Sequence, residues 1–176
     1  MKLDPLNAAT QIDLSIMFYL NKNWAEAECS ARRALQLAPG GASYHAILAW
    51  SLIAQQRYTE AEAEVALESD EIEQATSYGI LAVARGEDKK AREWLARLDE
   101  IARTRGDSAD LQQSIAWICA SLGEKDRAFA ALERARASRD PSMSWLLNSW
   151  YLQPLFSDPR WTVLLHQIGL ADDQLK

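Results

Sequence analysis

Four alanines recur along the chain at a spacing that limits the fold to a narrow class. Each lies within an amphipathic helical pattern, and successive alanines are 34, 30 and 37 residues apart: Ala27, Ala61, Ala91 and Ala128. A repeat of about 34 residues is typical of helix–turn–helix pairs that stack one on the next. Arrays of this kind present extended binding surfaces. The pattern therefore directs the question towards a partner rather than towards a reaction.

Composition excludes several other classes of protein. A net charge of −6 argues against binding to nucleic acid, which needs a basic surface, and against an anionic membrane surface. No run of about 18 apolar residues is present, and no hydrophobic signal core follows Met1, so a cytoplasmic protein is expected. The two cysteines, Cys29 and Cys119, lie among alanines on predicted helices. We expect both to be small buried hydrophobic residues.

The first repeat carries the pattern most completely. Its first helix has Leu14 and Phe18 on one face, a break follows at residues 21–23, and Pro39 closes the second helix. In type and order, these residues resemble the tetratricopeptide repeat. The matching residues are a leucine, two aromatic residues, two small residues and a proline: Leu14, Phe18, Trp24, Ala27, Ala34 and Pro39.

The later repeats keep parts of the same pattern. Retained residues in the second, third and fourth repeats are Leu48, Ala49, Leu52, Tyr58, Ala61, Tyr78, Gly79, Gly86, Ala91, Ile115, Ala116, Gly123 and Ala128. In the second repeat the strict register puts Glu68 at a position that normally holds a small buried residue. Ala66 and Leu67 are interpreted as displaced equivalents. The short spacing of 30 residues to Ala91 predicts a shortened second helix.

The predicted fold is all-α: a right-handed helical-hairpin solenoid of about four tetratricopeptide-like units with a C-terminal capping helical segment. The units are expected at about residues 7–40, 41–70, 71–106 and 107–140, and residues 141–176 form the capping helices and tail. Residues 1–6 resemble the tail of a preceding repeat, which suggests a fragment of a longer protein. An uncapped first unit would expose an apolar face, so self-association is a further expectation.

The tail contains two predicted helix starts, Asp140-Pro141 and Asp158-Pro159, each with aspartate as the cap and proline at the first helical position. Its apolar residues are Trp145, Leu146, Leu147, Trp150, Tyr151, Leu155, Phe156, Trp161, Leu164, Leu165 and Ile168. They are expected to cover the last repeat, and a docking surface for another protein is the alternative. The final third of the chain also resembles tetratricopeptide regions that end bacterial multidomain regulators.

The family resemblance also implies a binding groove. In tetratricopeptide proteins the first helix of each pair lines the concave surface, and fixed positions contact a bound peptide. Carried onto this chain, those positions are Ile12, Ile16, Tyr19, Trp50, Ile53, Ile80, Val83, Gln113, Trp117 and Ala120. They predict an apolar groove for an apolar protein segment. The alternative is that a tight superhelix, or the chain's own tail, buries these residues.

No pattern of residues supports catalysis or metal binding. Phosphate loops, nucleophile elbows and dinucleotide fingerprints are absent from the sequence, and His45 and His166 stand apart from each other and from the cysteines. We therefore expect a non-catalytic interaction scaffold without cofactor or metal. The alternative is a sensory or regulatory region of a larger bacterial transcription factor, cyclase or kinase, which acts through ligand binding or self-association.

Charged residues form two runs of opposite sign. An acidic run comprises Glu60, Glu62, Glu64, Glu68, Asp70, Glu71 and Glu73, and a basic run comprises Lys89, Lys90, Arg92 and Arg97. We interpret both runs chiefly as solvated helix faces. Ion pairing between the two runs is the alternative, at about 0–1 kcal/mol for each exposed pair.

Overall fold

The computed structural model of the chain describes residues 7–138, 149–171, 173 and 174. These residues form α-helices and one short 3₁₀ helix, and no strand occurs in this part of the chain. The predicted all-α class with helices packed in adjacent pairs is confirmed. The predicted helix start at Asp140-Pro141 and three of the tail's apolar residues (145–147) lie outside the described ranges, as do residues 1–6.

The chain divides into two compact units at residues 87 and 88. Unit 1 contains five helices in its described part: α1 (Ala8–Leu20), α2 (Trp24–Leu37), α3 (Tyr44–Ala54), α4 (Tyr58–Leu67) and α5 (Glu71–Ala84). Helix α1 packs against α2, and α3 packs against α4. The first helices also contact one another, α1 with α3 and α3 with α5. Unit 1 is therefore two helical hairpins followed by a further first helix.

Unit 2 begins with α6 (Asp88–Arg105), which packs against α7 (Ala109–Ser121). Helix α7 then pairs with α8 (Lys125–Ala137). After residues 139–148 the chain returns as a 3₁₀ helix (Trp150–Leu155) that packs on α7, and α9 (Pro159–Ile168) follows and contacts α8. None of the described helices is long and apolar enough to cross a membrane.

Small residues on the second helices allow the hairpins to close. In α2, Ala27, Ala31 and Ala34 have no exposed surface, and the Ser15 hydroxyl of α1 donates a 2.7 Å hydrogen bond to the carbonyl of Ala27. Residues at the same i, i+4 and i+7 spacing are buried in the other three repeats, where Glu68 directly follows α4: Ala61, Val65 and Glu68; Ala91, Leu95 and Leu98; Ala128, Leu132 and Ala135. Residues at this spacing share one face of a helix. The four alanines of the sequence period therefore start four equivalent core stripes.

The turns between first and second helices share one backbone conformation, which recurs at the same spacing as the alanines. One residue in each turn has a positive φ of 61°, 61°, 72° and 77°: Lys22, Gln56, Gly86 and Gly123. In each case the next amide donates to a carbonyl five residues earlier at 2.8–2.9 Å, as in Asn23 to Phe18 and Glu124 to Cys119. This is the left-handed helix end that glycine favours. The turns are spaced by 34, 30 and 37 residues, so the local geometry has the same period as the sequence.

The second repeat follows the strict register, so the interpretation of Ala66 and Leu67 as displaced equivalents is wrong. Helix α4 has 10 residues against 14 in α2, which confirms the predicted shortening. Ala66 and Leu67 are exposed, whereas Glu68 is 5% exposed. The carboxylate of Glu68 accepts from the amides of Ala46, Ser69 and Asp70 at 2.8–3.0 Å. Backbone donors thus stabilise an acidic residue at a position that is usually small and apolar.

The two cysteines differ in exposure. Cys119 on α7 is buried as predicted, and burial raises the pKa of its thiol to about 12. Cys29 on α2 is exposed, so the prediction of a buried Cys29 is wrong. It follows Ala27 by two residues, which turns it about 200° around the helix. It therefore lies away from the stripe of Ala27, Ala31 and Ala34.

Candidate interaction surface

The structure divides the ten predicted groove residues into two sets. Six are at most 8% exposed: Ile12, Tyr19, Ile53, Ile80, Gln113 and Ala120. Four are partly exposed: Ile16, Trp50, Val83 and Trp117. Most of the predicted set therefore packs between helices, and the surface open to a partner is smaller than the sequence pattern indicates. Three of the four partly exposed residues belong to unit 1.

An aromatic cluster joins the first helices of unit 1. The Tyr19 ring of α1 lies 5.2 Å from the Trp24 ring and 6.4 Å from the Trp50 ring of α3, measured between centroids. The Trp50 indole N–H donates a 2.9 Å hydrogen bond to the Ser77 hydroxyl of α5. Trp50 is thereby held from both sides and remains partly exposed. We call the surface around Ile16 and Trp50, on α1, α3 and α5, the first-helix face of unit 1.

In unit 2 the tail packs against the equivalent tryptophan. The Trp117 ring of α7 lies 6.0 Å from the ring of Tyr151, which stacks on Trp150 at 4.2 Å. Leu152 and Leu155 of the 3₁₀ helix are fully buried. At Trp117 the tail therefore packs against one predicted groove residue, which still keeps part of its surface exposed.

Helix α9 is fixed to α8 through one arginine. The Arg160 guanidinium lies 2.7 Å from an Asp126 oxygen and 2.8 Å from an Asp158 oxygen, and 4.3 Å from the centre of the Phe129 ring. Asp158 caps α9 by accepting from the Arg160 amide, with Pro159 at the first helical position, which confirms the predicted helix start. The hydrogen bonds from Arg160 lower the pKa of Asp158 to about 2.

The second helices of unit 1 carry an ion-pair network. Glu28 accepts from Arg57 at 2.5 Å and from Arg32 at 2.9 Å, and Arg57 also pairs with Glu60 at 2.6 Å. Burial opposes the charged form of Glu28, but hydrogen bonds from Gln55, Arg32 and Arg57 outweigh it and lower its pKa below the usual 4.5. The network ties α2 to α4 and to the turn before it.

Two further glutamates of the acidic run also have partners close by. His45 Nδ1 lies 2.8 Å from Glu64, and Glu62 pairs with Arg85 at 2.7 Å. Arg92 of the basic run pairs with Glu124 at 3.0 Å. The acidic run is therefore more than a solvated face, and these partners are not the ones that pairing between the two runs predicts. Across the described ranges, no group of three His, Cys, Asp or Glu side chains could hold a metal ion.

Sequence reasoning did not select Ser77, and it named Tyr151 only as one of the tail residues and Glu68 only as an exception to the repeat pattern. Ser77 and Tyr151 contact the two tryptophans, and Glu68 organises the start of α3. Ser77 lies between Thr76 and Tyr78 on α5, so its sequence neighbours give no signal for its contact. The contact of Tyr151 has no local signal, because it depends on how the tail returns to α7.

The architecture is that of an all-α protein whose helices pack in adjacent pairs, as in helical-repeat folds. Comparisons with protein-family models, with curated proteins and with solved structures find no match to this chain. The resemblance to the tetratricopeptide family, and with it the right-handed solenoid, stays a prediction from the residues quoted above.

Proposed function

We propose that the protein is a non-catalytic protein–protein interaction scaffold that binds an apolar peptide segment on the first-helix face of unit 1. The observation that carries the proposal is that the Trp50 ring is both held in place and partly exposed. Its ring is fixed by Tyr19 and by the hydrogen bond to Ser77, yet part of it stays accessible. A large aromatic side chain held in one orientation loses little conformational entropy when a partner packs on it, and tryptophan is enriched among the residues that dominate binding energy.

The neighbouring side chains favour an apolar occupant. Ile16 is partly exposed on α1, and Met17 beside it is 50% exposed. Helix α3 has no Asp, Glu, Lys or Arg in its eleven residues. A segment that lies on this surface would therefore meet mainly apolar atoms, whose burial contributes roughly 25 cal/mol per Å².

Unit 2 supports the proposal with an example within the same chain. There, a short segment outside the predicted repeats packs on the first helix α7 through Tyr151 and Leu152. An apolar segment with aromatic and leucine side chains can thus be held by a first helix of this protein. The first-helix face of unit 1 offers a partner the same kind of contact.

The test is selection of a random peptide display library on the immobilised full-length chain. We expect enrichment of apolar sequences, and loss of their binding in Ile16→Gln and in Trp50→Ala. The matched control is Leu67→Gln, because Leu67 is 62% exposed on the second helix α4 of the same unit. Thermal melting of each variant shows whether it folds, and Ile16→Gln keeps the test decisive if Trp50→Ala unfolds.

Two outcomes would contradict the proposed function. One is selection without any enrichment on the folded wild-type chain. The other is enrichment of peptides whose binding Ile16→Gln leaves unchanged, which would move the binding surface elsewhere on the protein.

A further inference from the structure

The Asp, Glu, Lys and Arg side chains on the first helices of unit 1 are all negative. Helices α1, α3 and α5 together contain three carboxylates, Asp13, Glu71 and Glu73, and no lysine or arginine. Glu71 and Glu73 lie in the first turn of α5, where negative charge stabilises the helix dipole. Asp13 lies in the middle of α1, where the dipole gives it no such role.

The rest of unit 1 does not supply the missing positive charge. Residues 1–87 contain 6 Lys and Arg against 12 Asp and Glu, whereas residues 88–176 contain 13 of each. The whole net charge of −6 therefore belongs to unit 1. Three of its arginines, Arg32, Arg57 and Arg85, are already held by glutamates of α2 and α4.

Asp13 is an exposed carboxylate beside the exposed apolar side chains of α1. It is exposed, and within the described ranges no hydrogen bond or ion pair reaches its carboxylate. Ile16 and Met17 follow it by three and four residues, so the three side chains lie on one stripe of α1. A carboxylate without an internal partner thus borders the exposed apolar side chains of the first-helix face.

We propose that the segment recognised by this face is cationic as well as apolar: a protein segment with a lysine or arginine next to apolar side chains. Its positive group pairs with Asp13 while its apolar side chains pack on Ile16 and Trp50. The negative potential of unit 1 would also favour the approach of such a segment over that of an acidic one. The inference rests on the proposed function, since it specifies the partner of the same face.

The experiment uses the peptides enriched by display selection on the full-length chain and measures the affinity of each by fluorescence anisotropy. We expect the enriched sequences to combine apolar residues with at least one lysine or arginine, and their affinity to fall as salt is added. Asp13→Asn should weaken binding about two- to fivefold, the size expected for one solvent-exposed ion pair. Asp13→Lys should weaken it further and shift selection towards acidic apolar sequences.

The control variant is Glu26→Gln, which changes the net charge as much as Asp13→Asn does. Glu26 is exposed in the first turn of the second helix α2, so its loss should leave affinity within twofold. Equal effects of the two variants would overturn the role of Asp13.

The failure of this inference is distinct from failure of the proposed function. Selected peptides that are apolar and uncharged or acidic, and that still need Ile16, would overturn the cationic partner and leave the scaffold function standing. Enrichment of sequences resembling this chain's own tail, together with dimers in light scattering, would replace the cationic segment by a second copy.

Discussion

Trp50 and Trp117 occupy corresponding places on first helices of the two units, yet different neighbours cover them. Trp50 is held by the next first helix, whose Ser77 accepts its indole N–H. Trp117 is held by a 3₁₀ helix, whose Tyr151 packs against its ring. One covering element belongs to the predicted repeats and the other belongs to the tail.

The comparison shows that the sequence repeat sets a residue's position on its helix. It does not set which other element packs against that residue. An indole needs an apolar neighbour for its ring and an acceptor for its N–H when it is buried. In unit 1 a serine on α5 serves as the acceptor, and the rest of the ring stays available. In unit 2 the segment that contains Pro154 covers α7, and its leucines enter the core. Both indoles keep part of their surface exposed, and we place the proposed partner on unit 1 because three of the four partly exposed groove positions lie there.

The largest expected effect separates the two covering elements. Leu152→Ala should destabilise unit 2 by about 2–5 kcal/mol, because Leu152 is fully buried and its truncation leaves a cavity. Amide hydrogen exchange should increase in α7 and the 3₁₀ helix and stay unchanged in α1–α4. The control, Phe156→Ala, removes a side chain that is 42% exposed and should have a much smaller effect. Equal amide exchange rates of α7 in the two variants would mean that Leu152 of the tail does not stabilise α7.

The next effect concerns the buried carboxylate of unit 1. Glu68→Ala removes the acceptor of three backbone amides and should lower the free energy of unfolding by about 2–3 kcal/mol. Glu68→Gln keeps one acceptor oxygen and should lose about half as much. Chemical denaturation measures both. An unchanged free energy of unfolding in Glu68→Ala would show that water satisfies these amides equally well.

Acid should weaken the ion-pair network of unit 1. Because the folded pKa of Glu28 lies below 4.5, its ion pairs stabilise unit 1 above that pH, and the contribution is lost as pH falls through the folded pKa. The contribution of Asp158 is present above pH 3.8 and is lost only as pH approaches about 2. Glu28→Gln should cost about 1–2 kcal/mol at neutral pH, and its difference from wild type should shrink in acid. A pH-independent difference, measured by urea denaturation, would contradict this assignment.

The smallest effect compares the turns. Lys22 and Gln56 of unit 1 adopt a left-handed conformation that costs about 1–2 kcal/mol in a residue with a Cβ. Lys22→Gly and Gln56→Gly should therefore stabilise unit 1, by about 1 kcal/mol or less, since glycine also gains entropy in the unfolded chain.

The converse change belongs to unit 2, where Gly123 has a φ of 77° and open space around it. Gly123→Ala should destabilise the protein by about 1 kcal/mol through backbone strain alone. Melting temperatures of the three variants check both directions, and destabilisation by either glycine substitution in unit 1 would contradict the turn assignment.

Prediction from sequence succeeded where a residue acts through its own helix. The buried stripes that begin at Ala27 and Ala61, and the cap of α9 at Asp158, follow from helical spacing and local hydrogen bonds. It failed at Cys29, which was judged by its residue type and not by its angle on α2. It fails again at Ala66 and Leu67, because residue type argues against an acidic side chain at the buried position that Glu68 fills.

The candidate surface was less predictable than the helices. Position on the first helices selected Ile16 and Trp50, which are partly exposed, together with Ile53 and Ala120, which neighbouring elements bury. Burial at these positions depends on contacts between helices far apart in sequence, and apolarity alone cannot distinguish a core residue from a binding residue.

The sequence by itself determined the helices, their pairing and the repeated turns, because helical periodicity, small residues and turn residues act over a few positions along the chain. Only the tertiary structure decided which element packs against each tryptophan, that the tail packs on α7, and that the amides of Ala46, Ser69 and Asp70 stabilise Glu68. These outcomes depend on long-range packing, in which one side chain takes its environment from whichever element reaches it.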